Sequence, residues 1–124
     1  MTLGEACKWA DRLAGNQIPM GLKVKWLSDL DGTVHREILL RHQGTCEVPF
    51  SGYDGGTDPE TPLLVGEPYD GIYRWYLEMQ IHNTNGEILK YNNAAKNFNS
   101  ALLAFGDYVN RSHLPLGMAE LKLV

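Results

Sequence analysis

The sequence predicts a mainly α protein: a small helical bundle with a long extended loop and an extended C-terminal tail. Three observations carry that class. Ile88, Tyr91, Ala95, Phe98, Leu102, Phe105 and Val109 recur at alternating spacings of three and four, which keeps them on one helical face. The same periodicity appears twice nearer the N-terminus, in Leu3, Ala6, Ala10 and Leu13, and in Leu27, Leu30, Val34 and Ile38. Between these helical runs, Pro49, Pro59, Pro62, Gly52, Gly55 and Gly56 concentrate in residues 41–66, where they exclude long regular elements.

Taken in order, Thr2 and Glu5 form a capping-box pattern, with Lys8, Asp11 and Arg12 outside the first stripe and Gly15 as its stop. Residues 16–21 are a connector broken by Pro19 and Gly21. A second helix is expected over 22–40, where Lys25, Asp29, Arg36 and Glu37 fall mostly off the apolar face; Gly32 inside it costs about 1 kcal/mol relative to alanine. Residues 41–66 form an extended excursion in which Val48-Pro49-Phe50 and Leu63-Leu64-Val65 leave room for a short strand. Loops of this length are usually functional or flexible.

Residues 67–114 read as two consecutive helices joined at Asn85-Gly86. Ile72, Tyr76 and Met79 line one face of the first, and Tyr73, Leu77 and Ile81 the next, so it is covered on more than one side. Pro68 suits a first helical turn and Asp70 the positive end of the dipole. The second carries the long stripe, with Lys90, Asn93, Lys96, Asn97 and Asp107 opposite. A single helix kinked at Gly86 is the alternative to a hairpin, but it would be roughly three times the mean helix length. The predicted core is Leu27, Leu30, Val34, Ile38, Tyr73, Leu77, Ile81, Ile88, Tyr91, Phe98, Leu102 and Phe105. Pro115 and Gly117 end the last helix. The chain thus divides into a helical domain, 1–115, and a tail, 116–124, in which Leu116, Met118, Leu121, Leu123 and Val124 seek either a partner or their own domain.

The 124 residues suffice for one domain with one modest core. Hydrophobic residues at 44% and charged residues at 21% are ordinary for a soluble globular protein. No apolar run approaches the roughly 18 residues of a membrane span, and no basic region followed by an apolar run suggests a signal peptide. Cys7 and Cys46 match no metal motif and are expected to stay reduced in a cytoplasm. A net charge of −4 argues against gripping nucleic acid by its phosphates, though a surface that lets DNA pass is compatible with it.

Among chemical motifs, Asp29-Leu30-Asp31-Gly32-Thr33 is similar to the first motif of the haloacid-dehalogenase phosphatases. There the first Asp is the nucleophile, the second the general acid/base, and Mg²⁺ bridges to the phosphate. That chemistry needs the motif at the end of a buried strand. Here Lys23, Lys25 and Ser28 interrupt the preceding run, the helical stripe crosses the motif, and no distal acidic pair follows. His35, His42, His82 and His113 lack the i, i+4 spacing of a helical metal site. Asp54, Asp58 and Glu60 do not match an EF-hand. Trp26, Trp75 and the tyrosines fit a core better than base stacking. Asn92, Asn93, Asn97 and Asn99 are poor helix formers whose clustering suggests specific hydrogen bonds, within the hairpin or to a neighbour.

An ordered set of short matches runs through nearly the whole chain: Trp26–Gly32, Leu64-Val65 with Pro68-Tyr69-Asp70, Tyr73, Tyr76-Leu77-Glu78, Asn85-Gly86-Glu87, Tyr91-Asn92-Asn93, Phe98-Asn99, and the run 110–115. In these the sequence resembles the head–tail connector (adaptor) proteins of long-tailed bacteriophages. The resemblance implies a helical bundle that binds beneath the portal protein as a ring, typically of twelve copies, and continues the DNA channel toward the tail. The expected partners are further copies of itself, the portal and the next head-completion or tail protein. DNA would pass without sequence-specific binding, and no membrane, cofactor or catalysis is implied. The protein would be made in the host cytoplasm and reside at the head–tail interface of the virion. The tail, with Leu114, Leu116, Met118, Leu121, Leu123 and Val124, would dock on the portal or on neighbouring subunits, strand addition being the physical mode. Two other functions stand beside this one: a small phosphatase using Asp29 and Asp31, and a helical interaction module unrelated to virions.

Overall fold

The structure, a computed structural model, describes residues 1–14 and 18–116. Its helices are α1 (Leu3–Ala14), α2 (Met20–Glu37), α3 (Gly71–Thr84) and α4 (Ile88–Ser112), with short 3-10 turns at Leu39–Arg41 and Thr45–Glu47. The expected class, helices around a long loop, is what the chain adopts.

The N-terminus of α1 is capped from two directions. Thr2 Oγ1 accepts from the Glu5 amide at 3.2 Å and donates to Glu5 Oε1 at the same distance. The Leu3 and Gly4 amides, which no helical carbonyl can satisfy, donate instead to Thr61 and Pro59 carbonyls of the loop at 2.9 and 2.8 Å. Leu3, Ala6, Cys7 and Ala10 are buried, while Leu13 at the far end is largely exposed. Helix α2 begins directly after Pro19, two residues earlier than expected, and stops at Glu37 rather than Leu40, where the chain tightens into the first 3-10 turn.

Helices α3 and α4 form an antiparallel hairpin, not one kinked helix. Gly86 closes α3 in the left-handed region with φ +72°. The Glu87 amide donates to the His82 carbonyl at 2.9 Å and the Gly86 amide to Asn83 at 3.2 Å, the paired bonds of a Schellman motif. Ring contacts of Tyr76 with Phe98 at 5.3 Å and of Tyr69 with Phe105 at 6.0 Å track up the hairpin. With 25 residues, α4 outruns α3, so its second half packs Phe105 and Val109 against Tyr69, Leu39 and the loop.

Leu27, Leu30, Val34, Tyr73, Leu77, Ile81, Phe98 and Phe105 are core residues as predicted. Ile38 and Leu102 pack on the core from half-buried positions. Ile88 does not belong to it: the side chain is 70% exposed, because it opens α4 at the hairpin tip, where α3 has already ended. Tyr91, one turn further, is half-buried. Pro68 lies in the loop rather than in a first helical turn. Asp70 occupies the N-cap position of α3, its carboxylate 3.5 Å from the Met1 ammonium.

Among the described residues the excursion 41–66 contains no strand. Isolated antiparallel bridges join Thr2 to Pro62 and His42 to Pro115. The Leu63 amide donates to Met1 at 3.0 Å, and the Gln43 amide to Leu114 at 2.9 Å. The loop is therefore held near both its ends.

Candidate functional site

The Asp29–Thr33 motif lies inside α2, where Thr33 Oγ1 donates back to the Asp29 carbonyl at 3.0 Å. Two positions along a helix turn a side chain through about 200°, so the two carboxylates face opposite ways. Asp29 is exposed, pairs with Lys25 at 3.1 Å and lines an open groove of about 660 Å³ between α2 and residues 50–52. Asp31 is fully buried. Its Oδ1 accepts from Tyr73 Oη at 2.6 Å; its Oδ2 accepts from Tyr53 Oη at 2.5 Å and the Leu64 amide at 3.0 Å. Tyr73 Oη accepts in turn from the Val65 amide at 2.8 Å.

Burial raises the Asp31 carboxyl above its ordinary range, while the three donors pull it back. Burial and the adjacent carboxylate push both tyrosine hydroxyls well up. With both oxygens occupied, Asp31 fastens the loop and α3 to α2; it does not share a substrate site with Asp29.

The other candidates are likewise engaged locally. His35 Nε2 lies 2.8 Å from the Val48 carbonyl. Buried His42 spans the Ile38 carbonyl at 2.7 Å and Asn110 Oδ1 at 2.6 Å. His82 Nδ1 lies 3.3 Å from Glu87 Oε1, and His113 sits against Gly44. Hydrogen bonds from His82 and Lys90 hold the Glu87 carboxyl below its usual range, that from Lys90 contributing most. Asp54 accepts from the Gly56 amide at 2.8 Å and Asp58 from the Glu60 amide at 2.9 Å, which are turn-forming roles. Among the described residues no cluster of three potential ligands could hold a metal ion, and no helix is long and apolar enough to cross a membrane. Cys7 and Cys46 are free thiols, and burial pushes the Cys7 thiol up.

What stands uncommitted is a surface. Along the outer side of α4, Leu89 is 84% and Leu103 69% exposed, about four turns apart on one face. Exposed Asn92, Asn93, Lys96, Asn99 and Ser100 lie between them. Asn97, by contrast, is half-buried. The clustered asparagines thus mostly flank an apolar pair that the single stripe of the sequence does not reveal; the heptad recurrence of positions 89, 96 and 103 is the signal for it.

Of the proposed tail residues, Leu114 is exposed and its carbonyl engages Gln43, while Leu116 is half-buried. Met118, Leu121, Leu123 and Val124 lie outside the described residues. Compared with known families, curated proteins and solved structures, the chain matches none.

Proposed function

We propose that the chain is a structural virion protein, a head-to-tail connector whose copies form a ring under the portal and continue the DNA channel, with no catalytic role. The observation that carries this reading is the uncovered outer face of α4, where two leucines project into solvent from the longest helix. An isolated subunit gains nothing from such a face, whereas an assembly subunit buries it. The acidic balance suits a conduit for DNA, and the ordered sequence resemblance to connector proteins points the same way. The partners are further copies of the chain, the portal and the next head-completion or tail protein. The segment with Leu114, Leu116, Met118, Leu121, Leu123 and Val124 is the portal-docking arm in this scheme.

The test is to purify tailed particles from cells making the chain, and to prepare particles without it. The chain should be present in many copies per particle, and immunogold label should fall at the head–tail joint. Without it, DNA-filled heads should accumulate tailless. A chain absent from particles, with heads and tails joining normally in its absence, overturns the reading.

A further inference from the structure

The outer face of α4 has a counterpart at the other end of the same molecule. Around α3, Tyr76 meets Phe98 of α4 at 5.3 Å, Tyr73 bonds Asp31 of α2, and the Arg74 guanidinium lies 4.6 Å over the Trp9 ring of α1. At about 100° per residue, these directions put α1 on the far side of α3 from α4. Trp9 itself lies on the side of α1 turned away from Gly4, Cys7 and Asp11. Those three line a mainly apolar cavity of about 290 Å³, completed by Met20 and Val24 of α2 and Pro59 of the loop. The cavity and the outer face of α4 therefore lie at opposite ends of the subunit.

Their charges are complementary. No Lys or Arg occurs between Arg41 and Arg74, a span that carries Glu47, Asp54, Asp58, Glu60, Glu67 and Asp70. Asp54 stands on the cavity rim, which also bears Lys8 and the Asp11–Lys23 pair. Helix α4 carries Lys90, Lys96 and Arg111 against Asp107.

We propose that a second copy of this chain covers α4: Leu89 and Leu103 of one copy seat on the apolar cavity of the next, with Lys96 against its acidic 54–60 segment. Pairing α4 with itself would instead set Lys96 against Lys96 wherever Leu89 faced Leu103, a like-charge contact at the centre of the interface. Because the two surfaces differ and lie at opposite ends, the contact is head-to-tail and propagates, closing into a ring if its rotation divides the circle. The ring rests on the connector reading; the contact between two copies does not.

The test follows amide NMR signals of the full chain from dilute solution to about 1 mM, where even weak contacts are populated. Two separate sets should shift with concentration: the outer face of α4, and Lys8, Met20 and residues 54–59. Added salt should weaken both. Leu103→Asp and Met20→Asp, each at an exposed position, should each weaken association at least tenfold. Mixed in equal amounts, they should form a dimer that grows no further, since each variant retains one intact half.

Shifts confined to α4, or no concentration dependence up to about 1 mM, overturn the proposal. So do α4 signals that ignore dilution but change when the chain is stopped after Pro115, because the covering segment is then the chain's own tail. If the two copies associate as described but the chain is absent from particles, the connector reading falls and the contact stands. If the chain is present in particles without that contact, the reverse holds.

Discussion

Replacing Asp31 with alanine removes at once the acceptor of Tyr53, Tyr73 and the Leu64 amide. Orphaning buried donors in such a network costs about 3–5 kcal/mol. The expected outcome is a large fall in the denaturation midpoint, with hydrogen exchange accelerating first over residues 53–65. Asp31→Asn should cost less, because the amide oxygen still accepts while the buried charge is gone. The two residues also differ with pH. The carboxyl of Asp31 is raised in the folded chain, mainly by burial, above its ordinary value of 3.8. Between that value and the raised one, the folded chain holds a proton that the unfolded chain has released. The contribution of Asp31 is therefore fully present below the ordinary value and is lost as pH rises through the raised one. The stability of wild type minus that of Asp31→Asn should accordingly decline through this window; a flat or rising difference contradicts the assignment. The residue was half legible in the sequence. Its place between Leu27 and Val34 is a core position of the α2 stripe, but its tyrosine partners come from Tyr53 and Tyr73, which only the folded chain brings together. Lys23, buried against Asp11, was hidden for the same reason.

At the level of the helices, Phe98 tests whether the α4 stripe faces the hairpin. It is 9% exposed and packs on Tyr76, so Phe98→Ala should cost about 3–5 kcal/mol; an unchanged Tm would contradict that packing. Gly86 tests the turn by a different physical route. A side chain there meets nothing within 4 Å, so the cost of Gly86→Ala comes from the left-handed backbone alone, about 1–2 kcal/mol, with Gly86→Asn cheaper. Equal melting of all three chains would mean that the turn is not under this constraint. Helices were the most legible level, since a face buried along its whole length writes its period into the sequence, as in α2, α3 and α4. Their ends were less so. Pro68 suggested a helix start that tertiary contacts moved to Gly71, and Ile88 continued the stripe past the point where α3 could cover it.

For the whole molecule, the division at residue 115 leaves the pairing of Leu114 with Gln43 inside the helical domain. A chain stopped after Pro115 should keep its helical content by circular dichroism and melt within a few degrees of the full chain, a change of less than about 1 kcal/mol. It should fail to join portal-bearing heads in a reconstitution assay. The opposite pattern, early melting with normal incorporation, assigns the tail to the fold and leaves docking to the 44–66 excursion. The fastenings at the two ends of that excursion also impose an order in time. A chain emerging N-terminus first makes Met1 and Thr2 long before their partners at 62 and 63, and His42 must wait for Asn110, 68 positions later. Until α4 has been synthesised, the acidic loop has no latch at its leading end. A stalled or prematurely ended chain therefore displays a loose segment that the finished chain conceals, giving proteases a means of telling incomplete chains from complete ones.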